Sequence, residues 1–540
     1  MLTTIFRHAI DMASAPPAPP QKKRQAMSAG TSPATRTRTV LTLTHVCQHW
    51  REVLLKHPSF WSVISSKNMN AAETFLQRSG SHVSLVVHID AIHPADQLIP
   101  PFLTEGGIQP RLREIHWTAS ASAGAPRKAD YLLFPAPRLE LLRLIGDTED
   151  SERDEVYRNT PPILFAGHVP LLRTTYLGSI GWLPGNRFES LTYLCLFEIN
   201  VEFPGFVRLL CDCPVLERLE LSGIRVTAPP GRPPLPGLAI GQATLPKLRF
   251  FTFINMPTAS VNDFLFYFAS HRADISLDVV NVPHSPNLPV VDIKSLAPEA
   301  TRAMNTVLLW YHNHDPVVEV HIYATGPGVD VALRSAPTEL KTVNGALNLY
   351  TPVHWGLRQL YAVPLDSIRR LAIRQYHDGQ PRARIAIPTL PSARDVRALI
   401  ARMSGLEEVC LVRENVQLLF REAFSASADT ALLPLRSEAP EWRLSALHVI
   451  FCAQAGVRQP DPDQQQLAVP DLSDILQVVG RLVFKISGPP EAYAGVLGTL
   501  RALQERWQEQ VSIQVGDSWI RSSESGWWDR WWFAKERSHA

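Results

Sequence analysis

The stretch CPVLERLEL, residues 213–221, holds the unit that organises this chain. Pro214 opens it, Leu216 follows two residues later, and Leu219 and Leu221 close it with one residue between them. Two apolar side chains separated by one residue point to the same face of an extended strand. Leu216, three residues before the first of them, fills the turn leading in. The spacing recurs in Pro110, Leu112, Ile115 and Trp117, then in Pro137, Leu139, Leu142 and Leu144, and again in Pro246, Leu248, Phe251 and Phe253. Pro170, Leu172 and Leu177 make a weaker copy with Thr175 at its central position, and Leu191, Leu194 and Leu196 keep the spacing without proline. Further on, Ile368, Leu371 and Ile373 fit, as do Leu406, Val409 and Leu411, and Leu444, Leu447 and Val449.

A single Leu-x-x-Leu-x-Leu match is common in any α/β domain, so the weight lies in the series. Strands of this kind stack in parallel, each unit covering its neighbour's apolar face, as in a leucine-rich-repeat-like solenoid. The central positions 115, 142, 175, 194, 219 and 251 are 27, 33, 19, 25 and 32 residues apart. Regular arrays hold a period of about 20–29, so this one is irregular and carries insertions. Helices are expected between strands at 203–210 and 261–269. A Pro/Gly loop spans 228–243, and 284–300 is a proline-bearing break. TVLLWY at 306–311 and VVEVHIYA at 317–324 read as paired strands, 457–470 as a polar insertion, and 492–510 and 511–515 as a final helix and strand. Trp519, Trp527, Trp528, Trp531 and Trp532 end the chain and read as a cap over the open end of the array.

Ahead of the repeats, LTLTHVCQHWREVLLKHPSFWSVI at 41–64 has a different period. Leu43, Val46, Trp50 and Val53 recur at helical spacing, with Cys47 and Leu54 widening that face. One helix is expected over 41–56, ending near His57 because Pro58 disfavours a helical residue before it. Phe60, Trp61 and Ile64 add an aromatic wedge. MLTTIFRHAIDM at 1–12 is a second amphipathic helix, with Leu2, Ile5, Phe6 and Ala9 on one side. The Ala/Pro/Ser/Thr-rich run between them, 13–39, is expected to be a disordered, solvated insert. A short helix in 65–82 should lead to the strand LVVHID at 85–90.

Residues 41–64 resemble the F-box-like domain common in basidiomycete fungal proteins. Thr44, His45, Val46, Cys47, Trp50, Arg51 and Glu52 fall in register with its pattern, as do Pro58, Ser59, Trp61, Ser62 and Ile64. The Leu-Pro turn and acidic residue that open the family's domain would lie upstream of Met1. The resemblance implies docking onto the Skp-type adaptor of a cullin–RING ubiquitin ligase, with the repeat region as receptor for a client protein. It places Leu2, Ile5, Phe6, Leu43, Val46, Cys47, Trp50, Arg51, Leu54, Pro58 and Trp61 at or behind the adaptor surface. Trp50 and Trp61 would be core, and Arg51 and Glu52 rim. An alternative role for these helices is to cap the repeat domain in a scaffold outside any ligase.

The expected fold class is therefore α/β: an F-box-like helical domain at 1–64, a connector at 65–99, a leucine-rich-repeat-like region at 100–290, and a continuation of the irregular solenoid with parallel strands and a Trp-rich cap at 291–540. A chain of 540 residues with 45% apolar content can bury a large core, and 45 prolines interrupt many elements. Lys and Arg number 53 against 51 Asp and Glu, a balance that excludes a global bias toward nucleic acid or an anionic membrane. Six scattered cysteines read as reduced thiols of a cytoplasmic or nuclear protein. No signal peptide and no span of roughly 20 apolar residues is seen. Outside its complexes the protein is expected to be a monomer.

Motifs for chemistry are sparse. His45 and His49 are four apart, but Val46 stands where a zinc protease needs glutamate. Cys211 and Cys213 are too close for a zinc knuckle and have no second pair. His312, His314, Asp315 and His321 read as a polar hairpin. The acidic run Glu149, Asp150, Glu152, Asp154 and Glu155 reads as a solvated loop. No phosphate-binding, dinucleotide-binding or nucleophile-elbow glycine pattern occurs. The expectation is a binding protein, not an enzyme, with no cofactor or metal.

Overall fold

In a computed structural model the chain divides into two compact units, Met1–Leu248 and Arg249–Ala540. The structure describes residues 2–14, 33–91, 107–119, 132–146, 160–227, 245–265, 276–282, 290–293, 304, 306–312, 317–323, 330–335, 342–343, 346–347, 358–360, 363, 365–376, 393–413, 444–452, 479–487 and 494–515.

The first unit begins with helices α1 (Leu2–Ser14), α2 (Pro33–Thr44) and α3 (Gln48–Lys56). Phe6 and Ile10, one helical turn apart on α1, are buried with Val40 of α2 and Leu54 of α3. The Phe6 ring meets Trp50 edge-on at 4.8 Å. His57 is extended and Pro58 opens a 3-10 turn, Pro58–Trp61, so the helix ends where the proline requires. Trp61 is fully buried. Its Nε1 donates to the Leu54 carbonyl at 2.9 Å, Phe75 packs edge-on at 4.8 Å, and the Arg78 guanidinium lies 4.4 Å above the ring.

Two expectations for this region need correction. Residues 41–56 are not one helix. Thr44 ends α2 with its hydroxyl donating to the Leu41 carbonyl, Arg51 Nε donates to the Thr44 carbonyl at 3.0 Å, and Cys47 is extended as the residue before α3. A threonine hydroxyl and an arginine thus terminate a helix that no glycine or proline marks. Nor are all of residues 13–39 an unstructured insert: α1 runs to Ser14 and α2 starts at Pro33, whose missing N–H costs nothing in a first helical turn. Residues 15–32 lie outside the described residues.

After the wedge the chain enters a sheet. Strand β1 (Val63–Ser65) pairs in parallel with β2 (Leu85–Ala91), joined by helix α4 (Met69–Arg78), whose Asn68 side chain accepts from the Ala71 N–H. The parallel ladder continues in chain order through β3 (Leu112–Ala119), β4 (Leu141–Ile145), β5 (Thr174–Gly178), β6 (Tyr193–Phe197) and, beyond β7 (Asn200–Glu202), β8 (Arg218–Ser222). Strand β7 pairs instead with β9 (Arg225–Thr227). Helix α5 (Phe203–Cys211) fills the expected 203–210 segment.

The register is the one the repeat unit implies: Ile115, Leu142, Thr175, Leu194 and Leu219 are successive partners, and all are buried. The lead-in leucine has a structural cause. Leu139, Leu172, Leu216 and Leu248 each donate a backbone N–H to the carbonyl three residues earlier, and Pro137, Pro170, Pro214 and Pro246 sit second in those turns. Proline's fixed φ suits that position. Cys213 starts one such turn and is buried. Gly178 gives way to its neighbour: a Cβ there would lie within about 2 Å of the Phe197 ring, which leans over it from β6.

The second unit holds β10 (Phe250–Ile254), helix α6 (Thr258–Phe264) and β11 (Ser276–Val282), with β10 and β11 parallel. Next come β12 (Thr306–His312), β13 (Val317–Tyr323) and β14 (Asp330–Ser335), an antiparallel meander whose outer members β14 and β12 pair in parallel with β11 and with β17 (Arg370–Tyr376). The expected pair 306–311 and 317–324 is present, but the sequence reading did not provide for the third strand or the reversal. A two-residue hairpin, β15 (Thr342–Val343) and β16 (Ala346–Leu347), stands apart. From β17 the parallel order resumes through β18 (Glu408–Arg413), β19 (Ala446–Cys452), β20 (Leu482–Ser487) and β21 (Val511–Val515), with Leu371, Val409 and Leu447 in register. Helices α7 (Ala393–Ala401) and α8 (Ala494–Arg506) precede β18 and β21. The fold is thus α/β, with N-terminal helices and leucine-rich-repeat-like runs of sequential parallel strands. The terminal tryptophans lie outside the described residues.

Candidate functional site

Two surfaces of the first unit present side chains that folding has not consumed. The first is the helical lobe. Phe6, Leu54, Phe60 and Trp61 form its interior, Leu2, Leu43 and Trp50 are half-buried, and Arg51, Cys47 and Pro58 are exposed. Three large apolar side chains face solvent: Ile5 on α1 (51% exposed), Val46 in the turn between α2 and α3 (54%), and Leu55 on α3 (42%). The break after Thr44 is what turns Val46 and Cys47 outward, and it also separates His45 from His49. Between α2, β1 and α4 lies a cleft of about 460 Å³, with Leu41, Val63, Ala72 and Phe75 in its walls and Arg38, His45 and Lys67 around it.

The second surface is the face of the sheet opposite the leucines. In the repeat unit each pair of inner apolar residues brackets one outer residue, and parallel register aligns those outer residues in a row. The row reads Ser65, His88, His116, Arg143, Tyr176, Cys195 and Glu220 from β1 to β8. Ser65 also lines the cleft, so cleft and row share one face of the sheet. The His88 and His116 rings stack 4.4 Å apart with planes 10° from parallel. His116 Nε2 is 3.4 Å from Glu114 Oε2, and Arg113 holds the other carboxylate oxygen. Tyr176 and Tyr193 meet edge-on at 5.3 Å, and the Tyr193 hydroxyl donates to Glu220 at 2.7 Å. The Arg143 guanidinium lies 6.0 Å from the Tyr176 ring centre. Its Nε is buried without a hydrogen-bond partner, and among the described residues it has no carboxylate partner.

Burial and these neighbours shift the titrations. Desolvation, reinforced by His116 and Arg143, pulls His88 down to about 3, so it is neutral at physiological pH. The hydrogen bond from His116, with help from Arg113, outweighs burial and holds Glu114 at about 2. Desolvation raises Tyr176 and Tyr193, which keep their protons as donors. Cys195 is pushed up to about 12 by burial and by Glu220, which makes it an inert thiol.

No family model matches the chain. No curated protein matches it either. What the chain can do therefore rests on these surfaces.

Of the residues singled out in sequence, the structure brings Phe6, Trp50, Leu54 and Trp61 together and leaves Val46, Cys47 and Arg51 outside that cluster. The row His88, His116, Arg143, Tyr176 and Glu220 was missed, although its signal was present: each member but His88 occupies the variable position between the two apolar residues of a repeat. Among the described residues, no group of three or more His, Cys, Asp or Glu could hold a metal ion, and no helix is long and apolar enough to cross a membrane.

Proposed function

We propose that this chain is an F-box-like interaction protein. Its N-terminal helices dock on the Skp-type adaptor of a cullin–RING ubiquitin ligase, and its strand face receives a client protein. The chain performs no chemistry itself and raises the local concentration of the client near a ubiquitin-carrying enzyme. Such work belongs to the cytoplasm or nucleus and needs no cofactor, nucleic acid or membrane. The observation that carries this reading is the division of labour in the helical lobe. Phe6, Leu54 and Trp61 are buried, while Ile5 on α1 stays exposed together with Val46 and Leu55, which lie within the stretch that resembles the F-box-like domain. Three exposed large apolar side chains on one small lobe suit a partner surface.

The test is capture of a purified Skp-type adaptor by the full-length chain, wild type and Ile5→Asp/Leu55→Asp. The expected result is capture by the wild type, loss by the variant, and an unchanged melting temperature. Absence of capture by the wild type would remove the ligase reading.

A second reading, a scaffold in which the lobe only caps the repeats, is favoured by one observation. Strand β1 follows the wedge directly and forms the first rung of the sheet, with Val63 and Ile64 buried. Under that reading the double variant lowers the melting temperature and the adaptor is never captured.

A further inference from the structure

We propose that the strand face of the first unit, from the cleft beneath α2 to Arg143 on β4, holds an extended acidic segment of a partner protein, with one carboxylate seated on the Arg143 guanidinium between His116 and Tyr176. The inference rests on reading the strand face as the client surface and names the chemistry of that client.

Arg143 carries the argument. An arginine cannot shed its charge at any physiological pH, and one standing half-buried in a sheet is ordinarily balanced by a carboxylate. Among the described residues, Arg143 lies against the Tyr176 ring face, has no carboxylate beside it, and keeps a buried Nε without a hydrogen-bond partner. Among the described side chains, the carboxylates of the face are committed elsewhere. Glu114 is held by Arg113 and His116, and Glu220 accepts from Tyr193. Glu220 is also three strands away, about 14 Å at the usual strand spacing, which exceeds a Debye length of about 8 Å at physiological ionic strength.

Among the described side chains, the groups facing His88 are Ser65 on β1, His116 and Glu114 on β3, Arg143 on β4 and Arg36 on α2. Apart from Glu114, each is neutral or positive. The planar fork of an arginine binds a carboxylate through two parallel hydrogen bonds. Tyr176 and the neutral His88 supply further polar groups at the rim. At the other end, Arg38 borders a cleft whose walls are largely apolar. From β1 to β4 is again three strand spacings, the reach of about four extended residues. The fitting segment therefore carries two acidic residues about four apart, with an apolar side chain near the one by the cleft.

The probe is a fluorescein-labelled decapeptide of alternating Glu and Ser, titrated into the full-length protein by fluorescence anisotropy at low salt. Arg143→Gln should weaken binding at least tenfold and Arg143→Glu should abolish it. Arg143→Lys, which keeps the charge, should lose only a few-fold. Arg187→Gln, at an exposed arginine beside Glu189, should bind as wild type. A peptide with Gln in place of Glu should bind at least tenfold more weakly. With histidine-selective isotope labelling, the ring signals of His88 and His116 should move on addition of the acidic peptide.

Equal binding by Arg143→Gln and wild type, equal binding of the Gln peptide, or no binding of the acidic peptide would each overturn the proposal. Binding confined to a phosphoserine version of the peptide would overturn the choice of a carboxylate. If neutralising Glu149, Asp150, Glu152, Asp154 and Glu155 moves the His88 and His116 signals by itself, the occupant is the chain's own acidic run and the proposal fails. Adaptor capture is scored separately and should be unchanged in every Arg143 variant, so failure of the ligase reading and failure of this inference are told apart.

Discussion

Strand β4 of the first unit and strand β17 of the second belong to the same kind of parallel ladder and treat its second face differently. In the first unit β4 alternates: Leu142 and Leu144 are fully buried, while Leu141, Arg143 and Ile145 are half-exposed. In the second, three strands bury consecutive residues, Leu371, Ala372 and Ile373 on β17, Val409 and Cys410 on β18, and Leu482, Val483 and Phe484 on β20, while β10 and β19 alternate as β4 does. A strand buried on one face reads as alternating, and one buried on both reads as a continuous apolar run. The row that holds His88, His116, Arg143 and Tyr176 in the first unit corresponds to Ala372, Cys410, His448 and Val483 in the second. The second face is thus open at β4 and β5 and closed at β17, a difference between strands that also occurs within the first unit, where β6 buries Leu194, Cys195 and Leu196 in succession.

The harshest way to break this comparison is to place one charge on each second face. Ala372→Lys should cost about 4 kcal/mol or more, or prevent the second unit from folding, because an ammonium would be buried without a partner. Thr174→Lys, at a half-exposed position of β5, should stay within about 0.5 kcal/mol. Urea unfolding of each variant measures both, and equal losses would end the distinction between β5 and β17.

The shared face should behave alike in both. Leu142→Ala and Leu447→Ala each leave a cavity behind a fully buried leucine and should each cost about 2–5 kcal/mol. A small loss at one site only would show that the two ladders are not packed to the same standard.

Acid sharpens the difference further. His88 has a folded value of about 3, below its ordinary value, so between about pH 6.5 and pH 3 the unfolded chain binds a proton that the folded chain refuses. Stability is therefore complete above the unfolded value and falls as pH drops through that window, at up to about 1.4 kcal/mol per unit. Glu114, at about 2, adds a loss below about pH 4. His88→Gln should flatten the decline between pH 6 and pH 4 in urea titrations; an unchanged slope would place the acid sensitivity elsewhere.

The smallest expected effect is a gain. Thr175 occupies an inner apolar position, fully buried, and its hydroxyl has no hydrogen-bond partner. Thr175→Val keeps the shape and removes that group, and should stabilise the first unit by about 1 kcal/mol, read as a higher urea midpoint.

These contrasts also mark what the sequence could tell. The inner register was legible because Ile115, Leu142, Leu194 and Leu219 must face one side, and the prolines of 137, 170, 214 and 246 announce the turns that feed them. Weak copies were legible only as members of the series, as Thr175 shows. The outer row was overlooked because a pattern built on leucines treats the residue between them as blank, although that residue belongs to the opposite face of the sheet. The end of α2 was hidden because its terminator is a contact seven residues apart, Arg51 with the Thr44 carbonyl, and α2 itself was hidden by a threonine- and arginine-rich composition shared with loops. On the helical lobe, Phe6, Trp50, Leu54 and Trp61 could be read as one cluster from their spacing, whereas the exposure of Val46 depended on the unseen break.

Strand β1 is three residues long, and β2 beside it is seven. A short terminal rung offers other chains almost no bare backbone to pair with. Removing residues 1–80 to isolate the repeats would strip that guard and leave the whole of β2 as a sticky flank, so such truncations will come out of cells as aggregates. Mapping what the strand face binds is better done one side chain at a time on the intact polypeptide.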